Sequence, residues 1–319
     1  MCIRDRGWDF AGTIIFNSLD IPNELYSRDS SPAPSARRID INYTSEFLTP
    51  RIPSSHKGNH GHVAIVGGDY GYGGAVLMAA EAAQRCGAGL VSVITRSVHR
   101  AALLGRRPEV MVFGTEDEGE AIDKILARAN VIVIGPGLGQ SEWSRTLLQT
   151  ALSKQVSAGI PLVVDADGLN LLSERSESGA PIKRSNWILT PHPGEAARLL
   201  DSSIEEVQAD RFAAVTELNN KWGGCCLLKG SGSLICVSDE ELFLCTEGNA
   251  GMATGGMGDV LSGVIAGLVA QGLTLAQSLC CGVCIHGEAA DLAKEADGQR
   301  GMLATDLFLY IRQLINPAI

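Results

Sequence analysis

The 319-residue chain predicts an α/β fold, a mostly parallel sheet with helices on both faces. Three observations carry this. From His62 onward, short apolar runs alternate with longer stretches of helical period. The apolar runs are continuous, as strands buried on both faces require. Most glycine-rich motifs fall directly after a strand, where ligands bind in parallel sheets of this kind. A chain this long, with 45% hydrophobic and 19% charged residues, buries a substantial core and is neither disordered nor fibrous.

The elements follow in order. Residues 7–50 differ from the rest, and Ser27 to Ser35 have the composition of a loop or linker. The chain thus divides into residues 1–50, a leader, and residues 51–319, the main domain. Strands are predicted at 62–66, 90–95, 110–113, 131–134, 162–165, 187–190 and 225–229, with a late hairpin at 233–237 and 241–245. Helices are predicted at 74–86, 118–129, 142–157, 203–221 and 259–270. Residues 260–287 contain no Asp, Glu, Lys or Arg, but Gln271, Gly272 and Gln277 interrupt them. Two buried helices joined near Gln271-Gly272 account for them better than a membrane span. Residues 1–6 have no apolar stretch after them and do not read as a signal peptide. A soluble, cytoplasmic protein is expected.

Charge excludes one class of function. With 26 Lys+Arg against 36 Asp+Glu the formal charge is −10, so a broad nucleic-acid-binding surface is not expected. A small anion remains possible, because backbone amides bind phosphate without basic side chains. The nine cysteines sit mostly in apolar runs and read as buried reduced thiols. Cys281-Gly-Val-Cys284 has the spacing of a redox or metal pair, but it lies in a helical pattern with no second pair.

The motifs come one per strand end. Residues 67–75 hold five glycines and end in Ala75 at a helix start, suiting close backbone contact with a ligand. Gly135-Pro136-Gly137-Leu138-Gly139 follows the strand at 131–134. Asp165-Ala166-Asp167 offers two carboxylates for Mg²⁺, for a hydroxyl, or for capping the next helix. In Thr190-Pro191-His192-Pro193-Gly194-Glu195 the prolines stiffen the backbone around His192, and Glu195 falls near a helix start. Lys229-Gly230-Ser231-Gly232-Ser233 is either a plain hairpin turn or a flexible loop wrapping a nucleotide phosphate or sugar. Gly255-Gly256-Met257-Gly258-Asp259 runs into an apolar helix; its amides would face an anion, with Asp259 either a cap or a base. His56, His60 and His62 lack the further ligands of a metal site, and His286 reads as a satisfied core histidine.

Together the segments KGNHGHVAIVGGDYGYGGAVLMAAEAA, GPGLG, DADGLN, TPHPGE, LKGSGS and NAGMATGGMGDVLSG resemble the NAD(P)H-hydrate dehydratase family of the ribokinase-like superfamily. The resemblance implies a ribokinase-like three-layer α/β/α sandwich. It implies dehydration of the S epimer of NADHX or NADPHX, with ADP as phosphoryl donor, Mg²⁺ as cofactor, and AMP and phosphate as products. It implies that Ala75, Gly137, Gly139, His192 and Asp259 contact the hydrate, and that Lys229, Gly230, Ser231, Gly232, Ser233 and Gly258 contact the nucleotide. Asp259 would act as base, Gly255, Gly256 and Gly258 would stabilise the transferred phosphoryl group, and Glu195 would organise Mg²⁺ through water. A homotetramer is also implied. Residues 7–48, including DIPNELY and SPAPSARRIDINY, resemble the tail of an NAD(P)HX epimerase domain without its active site, so epimerisation is not expected and residues 7–50 are expected to pack poorly. An ordinary ribokinase-like kinase of a small alcohol, such as a vitamin precursor, is the main alternative. A catalytically silent nucleotide-binding regulator is another, and Asp259 argues against it.

Overall fold

A computed structural model describes residues 35–177, 182–238 and 241–316. Its centre is a ten-stranded sheet. The strands are β1 (Arg37–Ile39), β2 (His62–Val66), β3 (Leu90–Thr95), β4 (Met111–Gly114), β5 (Val131–Ile134), β6 (Leu162–Val164), β7 (Trp187–Leu189), β8 (Cys225–Leu228), β9 (Ser233–Ser238) and β10 (Glu241–Cys245). They lie in the order β1-β10-β9-β8-β7-β6-β5-β2-β3-β4. Neighbours pair in parallel except around β9, which runs antiparallel to both β8 and β10.

The helices are α1 (Gly73–Arg85), α2 (Arg100–Arg106), α3 (Gly119–Arg128), α4 (Glu142–Ala158), α5 (Asp167–Glu177), α6 (Pro193–Leu200), α7 (Ile204–Ala209), α8 (Arg211–Trp222), α9 (Met257–Ala270), α10 (Leu275–Asp297) and α11 (Leu307–Leu314). The two-residue strand period sorts the core into two layers. Ala64 and Val66 of β2, Ile132 and Ile134 of β5, and Leu162 and Val164 of β6 face the helices α3 to α8. Val63 and Ile65, Val131 and Val133, and Val163 face α1, α9 and α10. Both faces of each central strand are therefore buried, which explains the unbroken apolar runs. A third cluster packs α11 over α1, α9 and α10.

The expected α/β/α sandwich is the observed one, with local differences. The predicted helix 203–221 is two helices, because Asp210 leaves the helical conformation (φ −142°, ψ 87°) and its Oδ1 accepts the N–H groups of Phe212 and Ala213, capping a new start. The apolar stretch 260–287 is two helices meeting near Gln271, as expected, and among the described residues no helix is long and apolar enough to cross a membrane. Poor packing of residues 7–50 does not hold over 37–46. There β1 joins the sheet edge beside β10, and the Tyr43 ring lies 5.1 Å from Phe47 and 6.2 Å from Phe243, centroid to centroid. Residues 27–34 of the expected linker, and Cys2, lie outside the described residues.

Helices α1 and α9 approach so closely that a Cβ on Gly263 would lie 2.1 Å from the Ala79 carbonyl oxygen. This contact seats the start of α9 at the carboxyl ends of the strands. Gly263→Ala must push the two backbones apart, and a destabilisation of about 3 kcal/mol is expected. It would appear as a lower urea midpoint with an unchanged slope; an unchanged midpoint would mean the two helices slide freely.

Candidate active site

The strand order reverses between β2 and β5, so the loops after these strands lie side by side. They are joined through the backbone: Gly68 N–H donates to Pro136 O at 3.0 Å and Asp69 N–H to Gly137 O at 2.7 Å. Gly137 sits at φ 56° with no room for a side chain, since a Cβ there would lie 2.7 Å from Tyr72 O and 3.0 Å from the Ala75 Cβ. Ala75, Gly137 and Gly139 are thus brought together. Asp69 is the clamp behind them. Its Oδ1 accepts from Arg96 Nε at 2.7 Å, and its Oδ2 from Ser141 Oγ at 3.3 Å. Arg96 in turn lies against the faces of Tyr70 and Trp143, 4.6 and 4.0 Å from the ring centroids.

The two carboxylates of the Asp165 segment have separate tasks. Asp167 is turned toward the second loop, where it accepts from Gly139 N–H at 2.9 Å and from the side-chain amides of Gln140 and Asn170. Asp165 is buried at the end of β6 and holds three partners. Its Oδ1 accepts from Thr190 Oγ1 and Lys229 Nζ, and its Oδ2 from Ser262 Oγ, each at 2.8 Å. Ala166 between them takes a left-handed φ of 47°, which turns the two carboxylates to different neighbours. Neither is a free metal ligand.

Lys229 is the hub of the charges. Its Nζ also lies 3.8 Å from Glu195 Oε2. Burial alone would lower its pKa, but Asp165 and Glu195 outweigh burial and hold the ammonium above its ordinary range. Asp165 is buried too, yet the Lys229 charge and its hydrogen bonds keep its carboxyl below the usual range. Glu195 is shifted the other way, raised by burial and by Asp165. Its Oε2 accepts from His192 N–H at 2.8 Å while His192 Nδ1 accepts from Gly194 and Glu195 N–H, a reciprocal cap on α6. The His192 residue is exposed at the surface, but partial burial of its ring together with Lys229 lowers its pKa, so it is neutral at pH 7.

Asp259 is not the cap of α9. Gly256, at φ 93°, is the N-cap, and Asp259 lies within the first turn. No hydrogen bond from a described residue reaches its carboxylate. Burial raises its pKa to about 7, Asp165 adds to the rise and Lys229 opposes it. A Cβ on Gly258 would lie 3.4 Å from Asp165 Oδ2 and 3.5 Å from Lys229 Nζ, so the glycine-rich N-terminus of α9 sits directly over the buried ion pair. One Gly256 neighbour is Met78 of α1, which closes the other side. The dipole of α9 thus points its positive end at the mouth of the site, beside the Asp259 carboxylate. A cleft of about 510 Å³, lined in part by Gln140, Asn170, Arg198 and Asp201, opens beside the Gly139 loop.

The family model for NAD(P)H-hydrate dehydratases matches residues 63–313. The chain belongs to that family. It is 47% identical over 313 residues to a bifunctional NAD(P)H-hydrate repair enzyme of Coxiella burnetii, covering 98% of this chain and 62% of the relative. It therefore spans less than two thirds of that relative's length. It is 39% identical over 271 residues to the ADP-dependent (S)-NAD(P)H-hydrate dehydratase of Neisseria meningitidis, covering 83% of this chain and 88% of the relative. Among solved structures, a ribokinase-like superfamily protein of Enterococcus faecalis is 32% identical with a TM-score of 0.80, covering 88% of this chain and 95% of that one. An ADP/ATP-dependent NAD(P)H-hydrate dehydratase of Bacillus subtilis, co-crystallised with ATP/Mg²⁺, is 26% identical with a TM-score of 0.75, covering 88% and 97%.

For this family member, sequence reasoning missed two supports. Arg211 of α8 is buried, and its guanidinium donates to the carbonyls of Leu228, Lys229, Ser231 and Gly232. The Lys229–Ser233 loop is a β8–β9 hairpin held from behind, not a flexible strap. The Lys229 side chain points into the carboxylate cluster, while Ser231 stays exposed and Gly230, Gly232 and Ser233 line the turn. Thr190 and Ser262 lie inside quoted motifs, but the sequence gives them no role, because they matter only through Asp165. The three histidines near the start are each occupied: His56 caps a 3₁₀ turn, His60 meets Ser55 and His62 meets Ser92. His286 is not the satisfied core residue expected. Its ring bonds to the Met257 backbone, but Nε2 has no partner among the described residues, and burial lowers its pKa to about 4.

Asp165→Asn removes the charge opposite a largely buried ammonium. A loss of about 3 kcal/mol is expected, measured by urea denaturation at pH 7. A loss under about 0.5 kcal/mol would show that Glu195 alone neutralises Lys229.

Proposed function

We propose that this chain dehydrates the S epimer of NADHX and NADPHX to NADH and NADPH at the expense of ADP, giving AMP and phosphate. The observation that carries the reading is Asp259, a carboxylate that no described residue hydrogen-bonds, in the first turn of α9 beside the Gly255–Gly258 loop. The names of the Neisseria and Bacillus relatives support the reaction and the nucleotide donor.

In this reading the hydrate rests against Ala75, Gly137, Gly139 and His192, with its added hydroxyl at Asp259. Asp259 takes the hydroxyl proton as the oxygen attacks the terminal phosphorus of ADP. The bond from that phosphorus to the bridging oxygen breaks and AMP leaves. The carbon–oxygen bond then breaks, phosphate departs, and loss of a ring proton restores the dihydronicotinamide. The amides of Gly255, Gly256 and Gly258, with the α9 dipole, stabilise the charge on the phosphoryl group in flight. Lys229 and Asp165 do not react. Burial, with their opposed charges, sets the pKa of Asp259 near neutrality, where a base is most effective. The Lys229–Ser233 hairpin, stiffened by Arg211, receives the adenine nucleotide.

Mg²⁺ fits as an ion carried by phosphate oxygens and water. Asp165 and Asp167 are fully engaged, and Glu195, bonded to His192 and close to Lys229, keeps lone pairs only for a hydrating water. When bound, the ion would neutralise phosphate charge. The eight described cysteines are all buried thiols, which supports a reducing cytoplasmic setting. A homotetramer belongs to the same proposal.

The direct test is recovery of NADH absorbance from purified (S)-NADHX with Mg²⁺ and either ADP or ATP. Recovery with ADP is expected. Recovery with ATP alone would overturn the donor, and none with either, from folded protein that binds nucleotide, would favour a small-alcohol kinase. Asp259→Asn should lower kcat by about 10²- to 10⁴-fold while leaving nucleotide binding intact. Because the ionised form is the base, kcat/KM should rise about tenfold from pH 6 to pH 8 around a pKa near 7. A pKa raised on folding penalises the charged form, so the same variant should be more stable than the parent at pH 8, with the gain fading as pH falls toward 4. A flat pH profile, or no stability gain, would remove Asp259 from the role of base.

A further inference from the structure

Behind the active-site loop lies a second group of chemically active side chains that the proposed reaction does not use. Cys245 ends β10, Glu247 follows two residues later, and Cys284 projects from α10. One ligand atom from each lies within 4.8 Å of the others, the one such group among the described residues. The Cys245 thiol is 3.8 Å from Glu247 Oε2, and both thiols are buried while Glu247 is half-buried. The other oxygen of Glu247, Oε1, accepts the Ile41 N–H at 2.7 Å. A hydrogen bond of that kind orients a carboxylate and leaves its second oxygen aimed at the two sulfurs.

The pairing is not the one the sequence spacing suggests. Cys281 and Cys284 stand three residues apart, but they pack into different cores, Cys284 toward the sheet and Cys281 toward α11. The tertiary fold gives Cys284 a partner from a strand instead.

We propose that Cys245, Glu247 and Cys284 form a binding site for a soft divalent cation of the Zn²⁺ class. Two thiolates and one carboxylate are a donor set of that class, with water as the fourth ligand. Tetrahedral zinc with sulfur at about 2.3 Å places its two sulfurs about 3.8 Å apart, and the three ligand atoms here already lie within 4.8 Å of one another. Each bound cation displaces the thiol protons into solvent, and no electron moves. Glu247, at the half-exposed end of the group, is the path of entry.

The location gives the ion a consequence. Glu247 directly precedes the glycine-rich segment, and Gly248 N–H and Asn249 Nδ2 bond to Asp291 of α10 at 2.8 and 2.9 Å. A cation joining β10 to α10 at that point pins the root of the loop that carries Gly255 to Asp259. Because Glu247 also holds Ile41, the same ion fixes the 3₁₀ turn Ile41–Glu46 against the domain.

Co²⁺ is the probe, added to the reduced, metal-stripped full chain. One equivalent should produce a thiolate-to-cobalt charge-transfer band and the intense visible bands of tetrahedral Co²⁺, both abolished by one equivalent of Zn²⁺. Zn²⁺ should raise the Tm of the parent protein. Glu247→Gln keeps the oxygen that accepts from Ile41 and removes a charged ligand, so Co²⁺ affinity should fall at least about tenfold. Cys245→Ala with Cys284→Ala should remove the charge-transfer band while far-ultraviolet circular dichroism is retained. Should the double variant fail to fold, the Glu247→Gln titration decides alone. No charge-transfer band from folded parent, a band unchanged in the folded double variant, or unchanged affinity in Glu247→Gln would each overturn the site. So would reduced protein that takes up no Co²⁺ yet oxidises readily to a Cys245–Cys284 disulfide.

Discussion

The site depends on one buried ion pair, Asp165 with Lys229. It joins the ends of β6 and β8, and through Thr190 and Ser262 it also holds β7 and α9. Burying two charges is costly unless every polar atom is satisfied. Here both carboxylate oxygens are occupied, and Lys229 has Glu195 as a second counter-charge. The arrangement brings four elements to one point and sets a local field. That field, with burial, leaves Asp259 near neutrality and keeps Glu195 above its ordinary range. Perturbed titrations of this kind concentrate where a protein does chemistry.

Around that pair the loops are organised by different means. The β2 and β5 loops are bound to each other by backbone hydrogen bonds, and Asp69 and Asp167 hold them from the sides. The β8–β9 turn is held by Arg211 from beneath. The start of α9 is held by the close fit of Gly263 on α1. These supports leave the amides of the glycine-rich segments free of side chains, so they can approach an anion without a change of backbone. A preorganised site of this kind does not spend binding energy on ordering its own loops.

The second cluster, at Cys245, Glu247 and Cys284, reaches to the residue just before the same glycine-rich segment. The active-site loop is thus bounded by two polar groups of different chemistry. One is an ion pair that tunes a carboxylate. The other gathers two soft donors and one hard donor around the strand from which the loop departs.

The sequence by itself determined the layered α/β architecture and the glycine-rich turns at its strand ends. Continuous apolar runs such as 131–134 can be buried only on both faces, and a glycine run before an apolar helix has few uses besides close approach to an anion. Asp259, His192, Gly137 and Gly139 could therefore be proposed from the sequence, because each lies in a local pattern with a local reason. What only the tertiary structure decided was the pairing of distant groups. Lys229 reads as part of a nucleotide loop until its partner 64 residues away is seen. Asp165 and Asp167 look alike in sequence, but a left-handed Ala166 sends them to opposite tasks. Cys284 has its chemical partner on a strand rather than at the near spacing of Cys281, and residues 37–46, expected to pack poorly, join the sheet because β10 offers them a free edge. Each of these depends on hydrogen bonds and charges between residues far apart in the chain, whose energies appear only when the fold brings them within a few ångströms.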